Sequence, residues 1–509
     1  MKFFKLLFSK IFVSALALLL QVALLLVVIF VFEQYILAFQ IASAVFGVIV
    51  FLDLVEKRES PEFKLPWLFL LLIAPFFGIT IYCLFGRSRM SYKYYKHMAE
   101  TVCRCKKYFE LSSDENGEIR AFLGNKTGME TYLRTTSFTR GYLDNKVEYF
   151  KNGALFFEDL KKELEKAENF IFMEYFVIAH GRMWNEIHEI LKRKVREGVE
   201  VRLMYDDIGC AGLLKSNYYK KLRKEGINCL KFNPFRPVVS GIHNNRDHRK
   251  ITVIDGKTGF TSGANIADEY INEKVLYGVW KDSAIKICGS AVKNLTLLFL
   301  QLFDTSAKSF SDYGRYLNVG YETYEGSGYV HPFGDGPKPF YVELVGSNNF
   351  INIINSANRY VYISTPYLIP DYNLLSALRN AALRGVDVRI ITPHVPDKRI
   401  IFNMTRSNYK TLLEAGVKIF EYTPGFIHAK EMIADGETAF VGTINLDYRS
   451  LVHHYECGAV LYKAPCVKDI EEGFNETFKV SEEVTKENFK MKFFPALLNG
   501  LLNLFSPMF

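Results

Sequence analysis

A short motif of polar residues occurs twice in this chain of 509 residues. Each copy has a histidine, a lysine two positions later, an aspartate five positions after the lysine, and an asparagine ten positions after the aspartate. The first copy is His248, Lys250, Asp255 and Asn265, and the second is His428, Lys430, Asp435 and Asn445. Because every gap is repeated in a chain too long for one ordinary core, we predict two related halves.

The residue types in the motif suit chemistry on a phosphate group. Histidine can act as nucleophile and as general acid or base near neutral pH, and lysine and asparagine donate hydrogen bonds without a metal. Two half-sites that face each other would form one phosphate pocket. We expect its non-bridging oxygens to be held by Lys250, Lys430, Asn265 and Asn445, and we therefore predict neither a metal nor another cofactor.

The spacing within the motif predicts a strand followed by a tight turn. In a strand, His248 and Lys250 point to the same face, and the mostly apolar run 251–254 leads into Asp255 and Gly256. The second copy repeats this turn at Asp435. Both aspartates belong to the catalytic motif, but aspartate at the start of a turn is favoured for its local hydrogen bonds. We expect both to be structural, without a necessary contact to substrate.

A second repeat indicates the fold class. Residues 169–175 and 359–365 each have the pattern of a strand, followed by an amphipathic helix at about 183–197 or 373–384. In both halves a glycine follows the helix, Gly198 and Gly385, and a strand containing Val-x-Val comes next. The pattern predicts an α/β fold with two homologous, mixed and largely parallel sheets that are flanked by helices.

Three apolar runs near the N-terminus predict a membrane protein with transmembrane helices before the two halves. They cover 11–32, 35–55 and 66–85, and the first is long enough to cross a bilayer. A cleavable signal peptide is the alternative for the first run, but the run is long and another apolar run follows at once. Pro75 and Gly78 can break the third run into a re-entrant segment, which would leave all basic flanks and the catalytic body in the cytoplasm. The number of spans stays open.

Charge and cysteine content add weaker constraints. The formal net charge of +8 suits a protein at an anionic membrane and does not by itself indicate nucleic-acid binding. The eight cysteines show no metal-ligand spacing, so we expect reduced thiols. We divide the chain into a membrane module, a connector, two halves and an amphipathic tail, which lies at the membrane interface or packs on the catalytic body. Their ranges are 1–90, 91–130, 131–325, 326–480 and 481–509.

At these motifs the chain resembles the phospholipase D superfamily and, within it, the bacterial cardiolipin synthases. The resemblance covers roughly 56–509 and includes further short matches around the two motifs. These are the segments 232–235, 245–247, 280–282, 365–367 and 422–425, together with the stretch 67–87, which looks like the N-terminal membrane module of such synthases.

The resemblance implies a multi-pass cell-membrane enzyme that acts on phosphatidylglycerol and anionic lipid. It would transfer a phosphatidyl group to a second phosphatidylglycerol through a phosphohistidine, and the resemblance implies that His248 is the nucleophile. The resemblance also suggests that Asp282 and Glu456 orient the histidines. We expect His243, His394, His453 and His454 to be core or surface residues. Arg246 and Arg249 either meet lipid phosphate or face solvent.

Two other functions remain open on sequence grounds. The same two half-sites could serve a membrane-anchored phospholipase D, phosphodiesterase or nuclease. Because the segment 67–87 favours the synthases, we expect that the protein does not bind nucleic acid. A non-catalytic scaffold would be expected to have at least one broken motif, whereas both copies are intact.

Overall fold

The computed structural model describes residues 19, 22, 23, 26, 27, 36–57, 59–86, 92–235, 244–324, 326, 328–487, 489, 500 and 502–508. The chain forms two compact units. The first takes in 1–90, 233–245 and 500–509, and the second takes in 91–232 and 246–499. Both motif copies therefore belong to the second unit, whereas the finer domain boundaries given above stay predictions.

Most described residues of the first unit are helical, apart from 233–235, Asn245 and the short connections between helices. Its helices are α1 (Ile36–Glu56), α2 (Pro61–Ile73) and α3 (Pro75–Phe85). The third apolar run is thus broken at Ala74, and a Cβ on Gly78 would lie 2.8 Å from the Leu70 backbone. Residues eight positions apart in a straight helix are separated by about 12 Å, so the chain folds back at this break.

The second and third predicted membrane segments lie almost wholly within the described residues. Most of the first apolar run, 11–32, lies outside the described residues. Within the described part of the chain, no helix combines the length and the apolar character needed to cross a membrane. The described part of the C-terminal tail is divided between the two units. Residues 481–487 and 489 belong to the second unit, where the ring centroids of Phe489 and Tyr409 are 5.4 Å apart, and residues 500 and 502–508 belong to the first, where those of Phe505 and Phe69 are 5.7 Å apart. The start of the tail therefore packs on the catalytic body, and a place at the membrane interface stays a prediction for the rest.

The first half of the second unit contains a seven-stranded sheet in the order β1-β8-β6-β5-β2-β3-β4. Strands β2, β3 and β4 are parallel, and the remaining pairs are antiparallel. The strands are β1 (Asn145–Phe150), β2 (Phe170–Tyr175), β3 (Glu200–Asp206), β4 (Asn228–Phe232), β5 (Lys250–Ile254), β6 (Thr258–Ser262) and β8 (Ala284–Gly289), with the short β7 (Val279–Lys281) outside this sheet.

The second half repeats this arrangement and adds an edge strand. Its sheet has the order β19-β13-β12-β10-β15-β16-β18-β9, with β10, β12 and β13 parallel. The strands are β9 (Tyr329–Asp335), β10 (Tyr360–Ser364), β12 (Asp387–Pro393), β13 (Lys418–Tyr422), β15 (Glu431–Ala434), β16 (Thr438–Gly442), β18 (Glu456–Tyr462) and β19 (Ser481–Val484). The short strands β11 (Leu368–Ile369), β14 (Gly425–Ile427) and β17 (Leu446–Asp447) lie outside this sheet.

Helices flank both sheets. They are α4 (Tyr92–Cys105), α5 (Ser113–Leu123), α6 (Thr127–Ser137), α7 (Gly153–Glu165), α8 (Arg182–Arg196), α9 (Tyr218–Lys224), α10 (Val292–Ala307), α11 (Tyr313–Leu317), α12 (Val345–Ser356), α13 (Tyr372–Leu383), α14 (Arg399–Ser407), α15 (Tyr409–Glu414) and α16 (Val467–Lys479). Helix α10 is buried along most of its length because it contacts strands of both sheets, including β5 and β9.

The structure confirms two halves but corrects one expectation. Helices α8 and α13 match the predicted helices to within one residue, and Gly198 and Gly385 after them have φ of 92° and 91°. The prediction of largely parallel sheets is wrong, because most strand pairs are antiparallel. Each motif strand is followed by the predicted tight turn, at Asp255 and Asp435, and a connection of only three residues joins antiparallel strands, because parallel strands need a long crossover.

The two halves exchange backbone contacts at the motifs. Strand β7 of the first half pairs in parallel with β14 of the second, and the backbone N–H of His428 donates to the Lys281 carbonyl at 2.7 Å. In the reciprocal contact, the backbone N–H of His248 donates to the Tyr455 carbonyl at 2.9 Å. Each histidine is therefore fixed by the opposite half, and both lie at the edge where the parallel strands end.

Candidate active site

His248 is held by a carboxylate of the second half. Its Nδ1 lies 2.8 and 2.9 Å from the two carboxylate oxygens of Glu456. The Ser450 hydroxyl donates to the same carboxylate at 2.6 Å, and the Thr443 hydroxyl also donates to it. A carboxylate that accepts the Nδ1 proton fixes the tautomer that leaves the Nε2 lone pair free. His248 is therefore oriented to act as a nucleophile.

His428 is held in the mirrored way by the first half. Its Nδ1 lies 2.7 Å from Oδ2 of Asp282, which is fully buried. Burial raises the pKa of Asp282, but the nearby charges of His428 and Lys430 outweigh it and hold the pKa below the usual value. The two carboxylates that the family resemblance suggests thus contact the histidines, each across the boundary between the halves.

Both motif lysines are buried beside the histidines. Lys250 Nζ donates to the His248 carbonyl at 2.6 Å, and Lys430 Nζ lies 2.7 Å from Nδ1 of His428 and donates to its carbonyl. Burial lowers the pKa of Lys250 to about 8. Burial, together with the positive charge of Lys250, lowers the pKa of Lys430 to about 7. Because the charge of Lys250 acts on Lys430, both lysines bear on one pocket, and their positive charges favour an anion there.

The pKa values of the two histidines reflect the same cationic pocket. Burial, followed by the charges of Lys250 and Lys430, holds the pKa of His248 well below its usual value. Burial and Lys430 lower the pKa of His428 to about 4. Both rings are therefore neutral near pH 7 in the empty site. An anionic phosphodiester would offset the lysine charges and raise the pKa of His428, which an acid catalyst requires.

The two half-sites are in contact through the loop that follows β6, within the first motif. A Cβ on Gly263 would lie 2.1 Å from Oδ1 of Asp282 and 3.2 Å from the carbonyl oxygen of His428. No larger side chain fits there without displacing Asp282 or the backbone of the second motif. A glycine at this position therefore allows the two histidines to share one pocket.

The two motif asparagines have different surroundings. Asn265 Oδ1 accepts a hydrogen bond from the Val177 backbone at 3.0 Å, and its Nδ2 donates to the Tyr270 hydroxyl at 2.7 Å. One Nδ2 hydrogen of Asn265 remains available for a ligand. Asn445 is buried, and its Oδ1 has no hydrogen-bond partner among the described residues. The binding of phosphate by both asparagines stays a prediction.

The motif aspartates lie at the far ends of the motif strands. The Asp255 carboxylate accepts backbone N–H groups of residues 168, 169 and 170 at 2.7–2.8 Å. The Asp435 carboxylate accepts those of residues 358, 359 and 360 at 2.8–3.0 Å. Each aspartate is five residues from its lysine, or roughly 16 Å along a strand. They therefore fix the start of β2 and β10, and these contacts agree with the structural role expected for Asp255 and Asp435 within the catalytic motif.

Both arginines beside the first motif are buried, which corrects the alternatives of lipid phosphate or solvent. Arg246 forms a close ion pair with Asp206, with a 2.6 Å contact from its Nη2. Arg249 donates to the Glu456 carbonyl at 3.2 Å and to the Leu298 carbonyl at 2.9 Å. Arg246 therefore anchors the segment before His248 to the end of β3, and Arg249 anchors the segment after it.

Several residues of the site were not predicted from sequence. Thr443 and Ser450 hold Glu456, and the rings of Phe176 and Trp280 lie 5.1 and 5.3 Å from the rings of His248 and His428, respectively. Two of these residues have a sequence signal: Thr443 follows Gly442 shortly before Asn445, and Trp280 lies in the matched segment 280–282.

His454 is a core histidine as expected, but its position in the site was not predicted. Its ring lies 5.4 Å from that of His248. The donor atoms of His248, His454 and Glu456 lie within 4.8 Å of one another, which a metal ion could use. Glu456 already accepts hydrogen bonds from His248, Ser450 and Thr443, so we interpret this group as an orienting network.

Comparison of the sequence with known proteins identifies the family of this chain. A family profile described as "Cardiolipin synthase, PLD-like domain" matches residues 160–287 and again 350–478. A second, described as "Phospholipase_D-nuclease N-terminal", matches residues 43–87. Each match to the first profile contains one motif copy.

Individual proteins agree with the profiles. An uncharacterized protein from Streptococcus mutans is 43% identical over 89% of this chain and 97% of its own length. A cardiolipin synthase from Alkalihalophilus pseudofirmus is 34% identical over 92% of this chain and 93% of its own length. A phosphatidylserine synthase crystal structure from Haemophilus influenzae superposes with a TM-score of 0.56 at 15% identity, over 75% of this chain and 97% of that one, and supports the fold. The chain belongs to the cardiolipin synthase family of phospholipase D-like proteins.

Proposed function

We propose that this protein is a cardiolipin synthase that transfers a phosphatidyl group from one phosphatidylglycerol to another and releases glycerol. The observation that carries the proposal is the pair of buried histidines, each bound through Nδ1 to a carboxylate and accompanied by a buried lysine. This pair supplies a nucleophile, an acid-base group and two cations for one phosphodiester. The choice of phosphatidylglycerol rests on the cardiolipin synthase relatives.

The reaction would proceed in two displacements at one phosphorus atom. Nε2 of His248 attacks phosphorus, the bond to the glycerol oxygen breaks, and His428 gives its proton to that oxygen. The phosphatidyl group is then bonded to His248. His428, now neutral, takes the proton of a hydroxyl on the second phosphatidylglycerol as this oxygen attacks phosphorus, and His248 is released. Lys250 and Lys430 would stabilise the charge on the non-bridging oxygens in both steps.

We further propose that the enzyme is anchored in the cell membrane by its N-terminal unit. The apolar runs of the sequence and the match of residues 43–87 to the N-terminal profile support membrane attachment through transmembrane helices. The break at Ala74 supports a third run that enters and leaves on the same side, with the catalytic body cytoplasmic. Anionic membrane lipid would then be the substrate of the enzyme and would also surround its membrane anchor.

The direct test is to incubate the detergent-solubilised protein with phosphatidylglycerol and a metal chelator. We expect cardiolipin and glycerol in equal amounts, because the two lysines provide the positive charge that a metal supplies in many phosphoryl-transfer enzymes. Lipid mass spectrometry and a glycerol assay measure both products. Phosphatidic acid in place of cardiolipin would indicate a phospholipase D. Activity that chelation abolishes and a divalent ion restores would contradict the metal-free mechanism.

Removing either motif lysine should slow the reaction strongly. Lys250→Ala or Lys430→Ala deletes one charge from a buried phosphate site, where one transition-state contact is worth ~3 kcal/mol, or about a hundredfold in turnover. Steady-state rates with phosphatidylglycerol measure the effect, and Lys281→Ala serves as a control because Lys281 Nζ donates to the exposed Lys151 carbonyl. Near-normal turnover in either motif variant would mean that its lysine does not face the phosphate.

The lysine pKa values predict the alkaline limb of the pH profile. Because burial lowers the pKa of Lys430 to about 7 and of Lys250 to about 8, the free enzyme loses these cations as the pH rises through that range. The ratio kcat/KM should therefore fall above about pH 7, while His248 stays neutral well below it. Lys430→Arg should move the fall to higher pH, because arginine keeps its charge. An unchanged fall in this variant would assign the limb to another group.

A further inference from the structure

Three exposed tips surround the site at the edge where the parallel strands end. The first, 211–217, follows β3, and the second, 272–279, leads into β7. The third, 394–400, follows β12 and includes the start of α14. Because β3 and β12 are equivalent strands of the two halves, the first and third tips occupy equivalent places on either side of the site.

The second and third tips are anchored close to a catalytic histidine, and the first packs on the core of its half through Leu214. The ring of Tyr277 in the second tip lies 6.4 Å from that of Trp280. The rings of Tyr270 and Trp280 lie 5.5 and 5.3 Å from the ring of His428. Tyr367 packs on the core cluster that contains these two aromatic residues, and its hydroxyl donates to Asp397 of the third tip at 2.6 Å.

The second tip is pinned at its base. The side chain of Asn272 accepts from the Trp280 backbone N–H at 2.7 Å and donates to the Trp280 carbonyl at 2.9 Å. The residues between them project into solvent, and Val275 and Leu276 are 73% and 45% exposed. A loop closed at its base keeps these apolar side chains outward at little entropic cost.

The tips combine apolar and basic side chains. Leu213 is 43% exposed and Ile400 is 60% exposed, so each tip carries at least one large apolar residue in solvent. Exposed basic residues lie beside them: Lys215, Lys274, Lys398 and Arg399. The acidic residues of the tips are engaged, because Glu273 pairs with Arg182 and Asp397 accepts from Tyr367. Scattered apolar residues are ordinary on a surface, but apolar tips with basic neighbours around one site are typical of an interfacial surface.

We propose that these three tips insert into the surface of an anionic bilayer and hold the active site against it. The apolar side chains would enter the boundary between headgroups and acyl chains, and the basic residues would meet lipid phosphates. The inference rests on the proposed function, since a membrane lipid has to reach the site without leaving the bilayer. It identifies the partner of this surface as the anionic bilayer itself.

Labelling of single cysteines tests the proposal without any need for turnover. In a full-length chain with the exposed Cys83 and Cys103 changed to serine, Leu276→Cys and Ile400→Cys would each carry an environment-sensitive fluorophore. Leu383→Cys is the matched control, because Leu383 is 67% exposed at the end of α13, next to the start of β12 and thus on the opposite edge of the sheet. The proteins would be reconstituted in vesicles containing lipids with a quencher on the acyl chain.

We expect at least twofold quenching of the labels at 276 and 400 in phosphatidylglycerol vesicles, less in phosphatidylcholine vesicles, and little at 383. Equal quenching at all three positions, or none at 276 and 400, would overturn the proposal. If the labels are already shielded from solvent in detergent, and the shielding increases with protein concentration, the tips form contacts between copies of the protein. That result would also overturn the proposal.

A substitution then links the surface to catalysis. Leu276→Asp with Ile400→Asp should lower transfer in phosphatidylglycerol bilayers at least tenfold but change the rate with a short-chain, micellar phosphatidylglycerol less than twofold. An equal loss in both would mean that the tips act on the site rather than on the membrane. If the wild-type protein transfers nothing while the labels are quenched, the proposed function fails and the membrane surface stands.

Discussion

Replacing His428 with alanine is expected to stop cardiolipin synthesis from phosphatidylglycerol, yet to leave attack by His248 intact on a donor with a good leaving group. Glycerol leaves as a poor alkoxide unless an acid protonates it, so the first half-reaction should slow by about 10²–10⁴-fold in His428→Ala. Nitrophenol needs no such acid. With a phosphatidyl-nitrophenol donor, this variant should release a burst of nitrophenol, and His248 should retain the phosphatidyl group because no base remains to activate the acceptor.

The reciprocal variant provides the control for this assignment. His248→Ala should give no burst with either donor, because the nucleophile is missing, and peptide mass spectrometry should locate the lipid on His248 in the His428→Ala protein. The two half-sites are nearly symmetric, and each histidine has its own carboxylate. A burst from His248→Ala with the lipid recovered on His428 would reverse the two roles.

The carboxylates should separate the two roles in the same way. Glu456→Gln is expected to lower turnover by about 10³–10⁴-fold, because the amide no longer secures the His248 tautomer with a free Nε2, as seen when the triad aspartate of a serine protease is replaced. It should also abolish the nitrophenol burst. Asp282→Asn should impair synthesis from phosphatidylglycerol but keep the burst. The reason is that Asp282 bonds to His428, whereas His248 is bonded to Glu456.

Fold integrity decides how these variants are interpreted. Glu456 is fully buried and accepts from Ser450 and Thr443, so the thermal unfolding of Glu456→Gln has to be compared with that of the parent protein. Ser450→Ala, which removes one donor to Glu456 and leaves His248 bonded, is the milder companion and should cost less activity. A folded Glu456→Gln protein with a normal burst would show that Glu456 does not set the state of His248.

The repeated motif predicted most of the architecture. It indicated two halves and placed both turns, and the family resemblance that it carries suggested Asp282 and Glu456. It did not show that each carboxylate serves the histidine of the other half, because that crossing depends on the pairing of β7 with β14 and of Tyr455 with the segment before His248. Strand pairing between segments more than a hundred residues apart leaves no local pattern in a sequence.

Buried polar side chains account for the other differences. Arg246 and Arg249 look like surface charges in the sequence, but Asp206 and the carbonyl groups of Leu298 and Glu456 bind them in the interior. These three partners are 40 residues or more away in the chain, so no helix or strand period indicates them. The prediction of largely parallel sheets was wrong for a related reason. The βαβ pattern is evident in the sequence and indicates parallel strands, whereas most strand pairs in the two sheets are antiparallel.

The configuration at phosphorus tests the central claim most directly. A phosphatidylglycerol made chiral at phosphorus, with one non-bridging oxygen replaced by sulfur, would be converted to cardiolipin and its configuration read by phosphorus NMR. Two successive displacements, first by a histidine and then by the acceptor hydroxyl, each invert the centre. The mechanism therefore predicts net retention of configuration. Net inversion would show that the acceptor attacks the donor directly, and it would contradict a phosphohistidine intermediate.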